Sequence, residues 1–120
     1  MKKILIVDDE PNIVMSLEYT FKKNNFEVFI ARDGQEALDI LKNELPDIII
    51  LDVMMPNVDG YNTLEQIKND PRLQHTKVIF LSAKNKEKDI EKGLALGANL
   101  YMTKPFSVKK LIEQVTELTK

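Results

Sequence analysis

Cysteine is missing from this chain. Its absence excludes disulfides and thiolate metal centres, and it fits a reducing, cytoplasmic location. No apolar run is long enough to span a membrane. The start, Met1-Lys2-Lys3 followed by Ile4–Val7, imitates a signal peptide, but the run is far too short and ends at two acids. A net charge of −2 gives no basis for nucleic-acid binding by this segment. No Gly-x-Gly-x-x-Gly follows any apolar run, which argues against a dinucleotide site. Linkers, low-complexity tracts and sequence repeats are lacking too. What remains is 120 residues, 43% hydrophobic and 30% charged, the composition of one globular domain over 1–120 that can bury a core.

Short apolar runs recur along the chain. Ile4–Val7, Ile48–Leu51 and Val78–Leu81 are hydrophobic throughout, as strands buried on both faces are. Phe26–Ala31 and Ala98–Met102 are more mixed, as edge strands are. Amphipathic segments lie between them. Pro11 starts a helix in which Ile13, Leu17 and Phe21 repeat every four residues. Asp33-Gly34 turns into a helix with Ala37, Leu38 and Leu41 on one face, and Asp59-Gly60 into one with Tyr61, Leu64 and Ile67. Ile90 and Leu94 mark a fourth helix, ended by Gly97. Val108, Leu111, Ile112, Val115 and Leu118 mark a fifth. The order is five βα units, which implies a doubly wound α/β fold with a parallel sheet and right-handed crossovers.

In such sheets, sites form beyond the carboxyl ends of the strands. Asp8 and Asp9 follow the first run, Asp52 the third, Ser82 the fourth and Lys104 the fifth. Three carboxylates at one edge repel and raise one another's pKa. A hard, oxygen-seeking cation such as Mg²⁺ would hold them together, with Mn²⁺ an alternative.

These residues resemble the response-regulator receiver domain of two-component phosphorelay signalling, of the chemotaxis-regulator kind. The likeness runs the whole chain, through Asp8-Asp9, Asp52 with Met55-Pro56 and Asp59-Gly60, Leu81-Ser82-Ala83, Gly97-Ala98 and Lys104-Pro105-Phe106. It implies a flavodoxin-like sheet of strand order 2-1-3-4-5. It also implies that Asp52 accepts a phosphoryl group from a histidine kinase or phosphotransfer protein. Asp9 and Asp52 would bind Mg²⁺ directly, Asp8 largely through water, and Met54 through its carbonyl. Lys104 would be a point charge on the phosphoryl oxygens, after a cis Lys104–Pro105 bond. Ser82 would donate to the phosphoryl group, and Tyr101 would turn inward as Ser82 vacates space. The domain would be a self-phosphorylating switch and not a conventional enzyme.

Plainer readings exist for each residue. Asp9 before Pro11 could simply cap a helix, Ser82 could be a loop hydroxyl, Lys104 an exposed lysine, and Tyr101 a half-buried edge-strand residue. Met54 and Met55 could fill the core. His75 reads as a loop residue, and Lys84, Lys86, Lys88 and Lys92 as a solvated helix face. For Asp52 the capping reading leaves its partners on three other loops unexplained. A flavin-type cofactor binder would need a Gly-, Ser- or Thr-rich loop after the first strand. Asp8-Asp9-Glu10-Pro11-Asn12 would instead repel a phosphate. A phosphatase like those of the haloacid dehalogenase fold would place an acid two residues after its nucleophile, where this chain has Met54. A purely structural module would have lost an acid, the hydroxyl or the lysine, and none is lost.

The expected output face comprises helix four, strand five and helix five, acting on a downstream protein or output domain. Receivers attached to winged-helix DNA-binding domains often dimerise there through ion pairs. They usually carry two acids before the position of Tyr101, a Glu at 110 and an Arg at 114. Asn99, Leu100, Lys110 and Gln114 stand there instead, so several such pairs cannot form. The expectation is a stand-alone or otherwise coupled receiver that binds a heterologous protein, with Leu100 either a contact or packed locally.

Overall fold

A computed structural model describes residues 1–56 and 58–120. Its elements alternate strictly: β1 (Lys2–Val7), α1 (Pro11–Lys23), β2 (Phe26–Ala31), α2 (Gly34–Leu41), β3 (Ile48–Leu51), α3 (Gly60–Lys68), a short 3₁₀ turn (Pro71–Leu73), β4 (Lys77–Ser82), α4 (Glu87–Ala95), β5 (Leu100–Thr103) and α5 (Val108–Leu118). The five strands pair in parallel in the order β2-β1-β3-β4-β5. This is the flavodoxin-like doubly wound sheet.

The apolar runs are continuous because each strand feeds two cores. Alternate residues Leu5, Val7, Ile49, Leu51, Val78 and Phe80 face Ala37 and Leu41 of α2 and Leu64 and Ile67 of α3. The intervening Ile4, Ile6, Ile48, Ile50, Ile79 and Leu81 face Leu17 and Phe21 of α1 and Leu111 and Val115 of α5. Each fully buried aliphatic side chain contributes about 1.5–3 kcal/mol. The helix starts follow local chemistry: Asp33, Asp59 and Ser107 accept backbone N–H bonds at the caps of α2, α3 and α5.

The start of β5 differs from the sequence expectation. Ala98 is not yet in the sheet, since its N–H still bonds Gly93 O at the end of α4. Asn99 then clasps Val78, donating its N–H to the carbonyl at 2.8 Å and accepting Val78 N–H on Oδ1 at 2.9 Å. The side chain imitates a strand carbonyl, and β5 proper begins at Leu100. Leu100 is half-buried against the α1–α5 core, so its apolar surface is used locally. Gly97, at φ +112°, permits the turn between helix and strand.

Candidate functional site

The carboxyl ends of β1, β3 and β5 carry the site on backbone still bound to the sheet. Asp8 N–H donates to Ala31 O at 3.1 Å, Asp52 N–H to Val7 O at 2.9 Å and Lys104 N–H to Ser82 O at 2.8 Å. Each side chain therefore projects from the last rigid rung of a ladder. Behind Asp52 the start of α3 presses close: a Cβ on Gly60 would lie 2.1 Å from Asp52 O. Only glycine fits there, which accounts for the Asp59-Gly60 pair.

Lys104, Asp8 and Asp52 meet as the sequence suggested. Lys104 Nζ lies 2.9 Å from Asp8 Oδ2 and 3.4 Å from Asp52 Oδ2. A third acid joins them that was not foreseen: Glu10 Oε1 is 2.9 Å from the same ammonium. Asp8 and Asp52 are 2% and 4% exposed. One ammonium thus faces three carboxylates, which leaves the cluster with an excess of negative charge. Burial raises the Asp8 pKa, against the hydrogen bonds from Glu10 N–H and Lys104. Burial and the charge of Asp8 raise that of Asp52. Burial alone would lower the Lys104 pKa, but the bonds to Glu10 and Asp8 and the charges of Asp52 and Asp8 hold it well above the usual lysine value.

Asp8, Glu10 and Asp52 offer carboxylate oxygens within 4.8 Å of one another, a hard donor set suited to a divalent cation. Asp9 is exposed and outside this group of three, and it lines an open cavity of about 440 Å³ with Met54, Asp59, Tyr61, Lys84 and Lys92. Met54 turns its side chain outward, 56% exposed, and donates its N–H to Asp52 Oδ1 at 3.3 Å. The Lys104–Pro105 peptide is cis.

Ser82 is fully buried, its Oγ accepting Lys84 N–H at 3.1 Å. Tyr101, half-buried against Phe80, donates its hydroxyl to Lys84 O at 2.8 Å. Ser82 and Tyr101 therefore grip the same residue of the β4–α4 loop from two sides. A second tyrosine was not foreseen. Tyr61 donates to Asp89 O of α4 at 3.1 Å, packs edge-on against Phe80, and carries Lys92 Nζ 4.4 Å above its ring. Burial pushes its phenol up to about 12. Gly93 lets α4 sit on this group, since a Cβ there would lie 2.9 Å from both Phe80 and Tyr101. Lys92 is thus not merely solvated. His75 lies in the turn before β4, a loop residue as expected, and is exposed.

Sheet order, clustered acids and an opposed lysine together define a class of protein, and comparison with known proteins agrees. Residues 4–116 match the response regulator receiver domain, and the chain belongs to that family. The chain is similar to the alkaline phosphatase synthesis transcriptional regulatory protein PhoP of Bacillus subtilis (strain 168). The two are 43% identical over 114 residues, covering 95% of this chain and 47% of that protein. The chain thus spans about half the length of that relative. The receiver domain of the Francisella response regulator 1452 superimposes with a TM-score of 0.92 at 34% identity, covering 99% of this chain and 97% of that one. Vibrio cholerae chemotaxis protein CheY4 superimposes with a TM-score of 0.92 at 29% identity, covering 98% of both chains. The chain is a receiver domain of a two-component response regulator. Among the described residues, no helix is long and apolar enough to cross a membrane.

Proposed function

We propose that residues 1–120 act as a phosphoacceptor switch in which Asp52 takes a phosphoryl group from a histidine kinase or phosphotransfer protein. The observation that carries this reading is the buried Asp52 carboxylate beside Lys104 and Asp8 at the carboxyl edge of the sheet. Asp52 attacks the phosphorus, its Oδ forms the new O–P bond, and the donor leaves with the electrons of the bond that breaks. Phosphoryl transfer needs mainly positioning and neutralisation of charge. The sheet rungs under Asp52 and the Gly60 contact fix the nucleophile. Lys104 meets the phosphoryl oxygens as a point charge. Mg²⁺, held by Asp8, Asp9 and Asp52 with the Met54 carbonyl, would supply the remaining positive charge. Met54, two residues after Asp52, cannot transfer a proton, so turnover of the acyl phosphate is slow.

Ser82 donates its hydroxyl to the phosphoryl group, drawing on the β4–α4 loop that Tyr101 also holds. The switch then biases the α4–β5–α5 face. Asn99 is committed to Val78, and Lys110 and Gln114 are exposed, so several of the ion pairs of winged-helix receivers cannot form on this face, and it serves a heterologous protein partner. The likeness to a transcriptional regulatory protein favours a second reading, in which the output is transcriptional.

The test is intact mass after incubation with Mg²⁺ and a small acyl phosphate. One labile phosphate is expected on the parent and none on Asp52→Asn. An equally labile adduct on Asp52→Asn would overturn the assignment.

A further inference from the structure

We infer that Glu10 is a positioning residue for Lys104, holding the ammonium in the resting state and yielding it when Asp52 carries a phosphoryl group; this rests on the phosphoacceptor reading above. Glu10 occupies the cap position of α1, yet its side chain makes no capping bond. Glutamate is not among the preferred caps, and Ser, Thr, Asp or Asn would stabilise the helix start better. The residue is spent elsewhere. Its N–H fixes Asp8 Oδ1 at 2.9 Å, and its carboxylate reaches Lys104 at 2.9 Å, nearer than Asp52 at 3.4 Å.

An ammonium has three hydrogens, and Asp8, Glu10 and Asp52 take all of them. The contact to Asp52 passes to one phosphoryl oxygen on phosphorylation, so a second phosphoryl oxygen can be met only if the contact to Asp8 or Glu10 weakens. Burial decides which. The Asp8 side chain is 3% exposed and would be left charged without water, whereas that of Glu10 is 54% exposed. Water can rehydrate Glu10 at little cost. Glu10 therefore competes for the ammonium and adds a negative charge facing the incoming anion. Both effects oppose the phosphorylated state.

The experiment measures binding of beryllofluoride, a phosphoryl mimic, by calorimetry at saturating Mg²⁺, with Mg²⁺ affinity and thermal melting measured separately. Glu10→Gln should bind the mimic about two- to fivefold more tightly, the scale of one solvent-screened ion pair. Glu10→Asp keeps the charge and should stay nearer the parent, which a merely structural role would not predict. Equal or weaker mimic binding by Glu10→Gln would overturn the inference. So would a Mg²⁺ affinity at least about tenfold weaker, the loss expected of a metal ligand or its close support. If the parent itself fails to bind the mimic, it is the phosphoacceptor reading that falls.

Discussion

Replacing Asp52 by asparagine should make the metal-free protein more stable. The effect can be sized from the site. At an effective dielectric of about 20, a carboxylate at the 4.8 Å limit of the cluster repels Asp52 by about 3.5 kcal/mol, and the ammonium at 3.4 Å attracts it by about 5 kcal/mol. Asp8 and Glu10 against Lys104 leave a net repulsion of about 2 kcal/mol. Water around Glu10 reduces this, and burial of a carboxylate only 4% exposed adds to it. A gain of about 2 kcal/mol corresponds to a melting temperature higher by about 6–10 °C in a domain of this size.

The pH dependence has a definite sign. The Asp52 pKa is raised above its ordinary 3.8, by burial first and then by Asp8. The folded state therefore holds the proton more tightly than the unfolded chain. That contribution is fully present below 3.8 and is lost as pH rises through the raised pKa. Parent and Asp52→Asn should differ most at about pH 8 and converge as Asp52 becomes protonated. Thermal melts in a chelator from about pH 8 to 4 provide the assay. Mg²⁺ at about 100 times its dissociation constant adds about 2.7 kcal/mol to the parent and should close the gap. An Asp52→Asn protein that melts no higher than the parent at about pH 8, or a gap that widens on acidification, would refute the reasoning.

Three further substitutions test the supports of the site. Gly60→Ala drives a Cβ against Asp52 O and should cost about 1–3 kcal/mol in a denaturant titration while slowing phosphorylation. Tyr61→Phe removes the bond to Asp89 O and should cost about 1 kcal/mol, with faster amide exchange confined to α4. Phe80→Ala empties a fully buried position between the Tyr61 and Tyr101 rings and should cost about 3–5 kcal/mol, read by chemical denaturation.

The sheet was legible because buried parallel strands must be apolar on both faces, and Ile4–Val7 and Ile48–Leu51 are unbroken for that reason. The start of β5 was less so, since Asn99 enters the ladder through its side chain, which no hydrophobic pattern records. The 3₁₀ turn Pro71–Leu73 went unread because it is too short to show periodicity. Asp8, Asp52 and Lys104 were readable as polar residues closing apolar runs. Glu10 was not, because it looks like one more exposed acid at a helix start. The available signal was its poor suitability as a cap. Tyr61 was placed on the core face of α3, and its hydroxyl contact to α4 depends on a packing that sequence spacing does not encode.

Position-resolved mass spectrometry tests the central claim most directly. The protein is treated with Mg²⁺ and an acyl phosphate, the acyl phosphate on the protein is reduced with borohydride, and the digest is sequenced. Reduction converts a phosphorylated aspartate to homoserine, and the account predicts homoserine at position 52 alone. Homoserine at another aspartate, or an unmodified residue 52 in protein that carries phosphate, would contradict it.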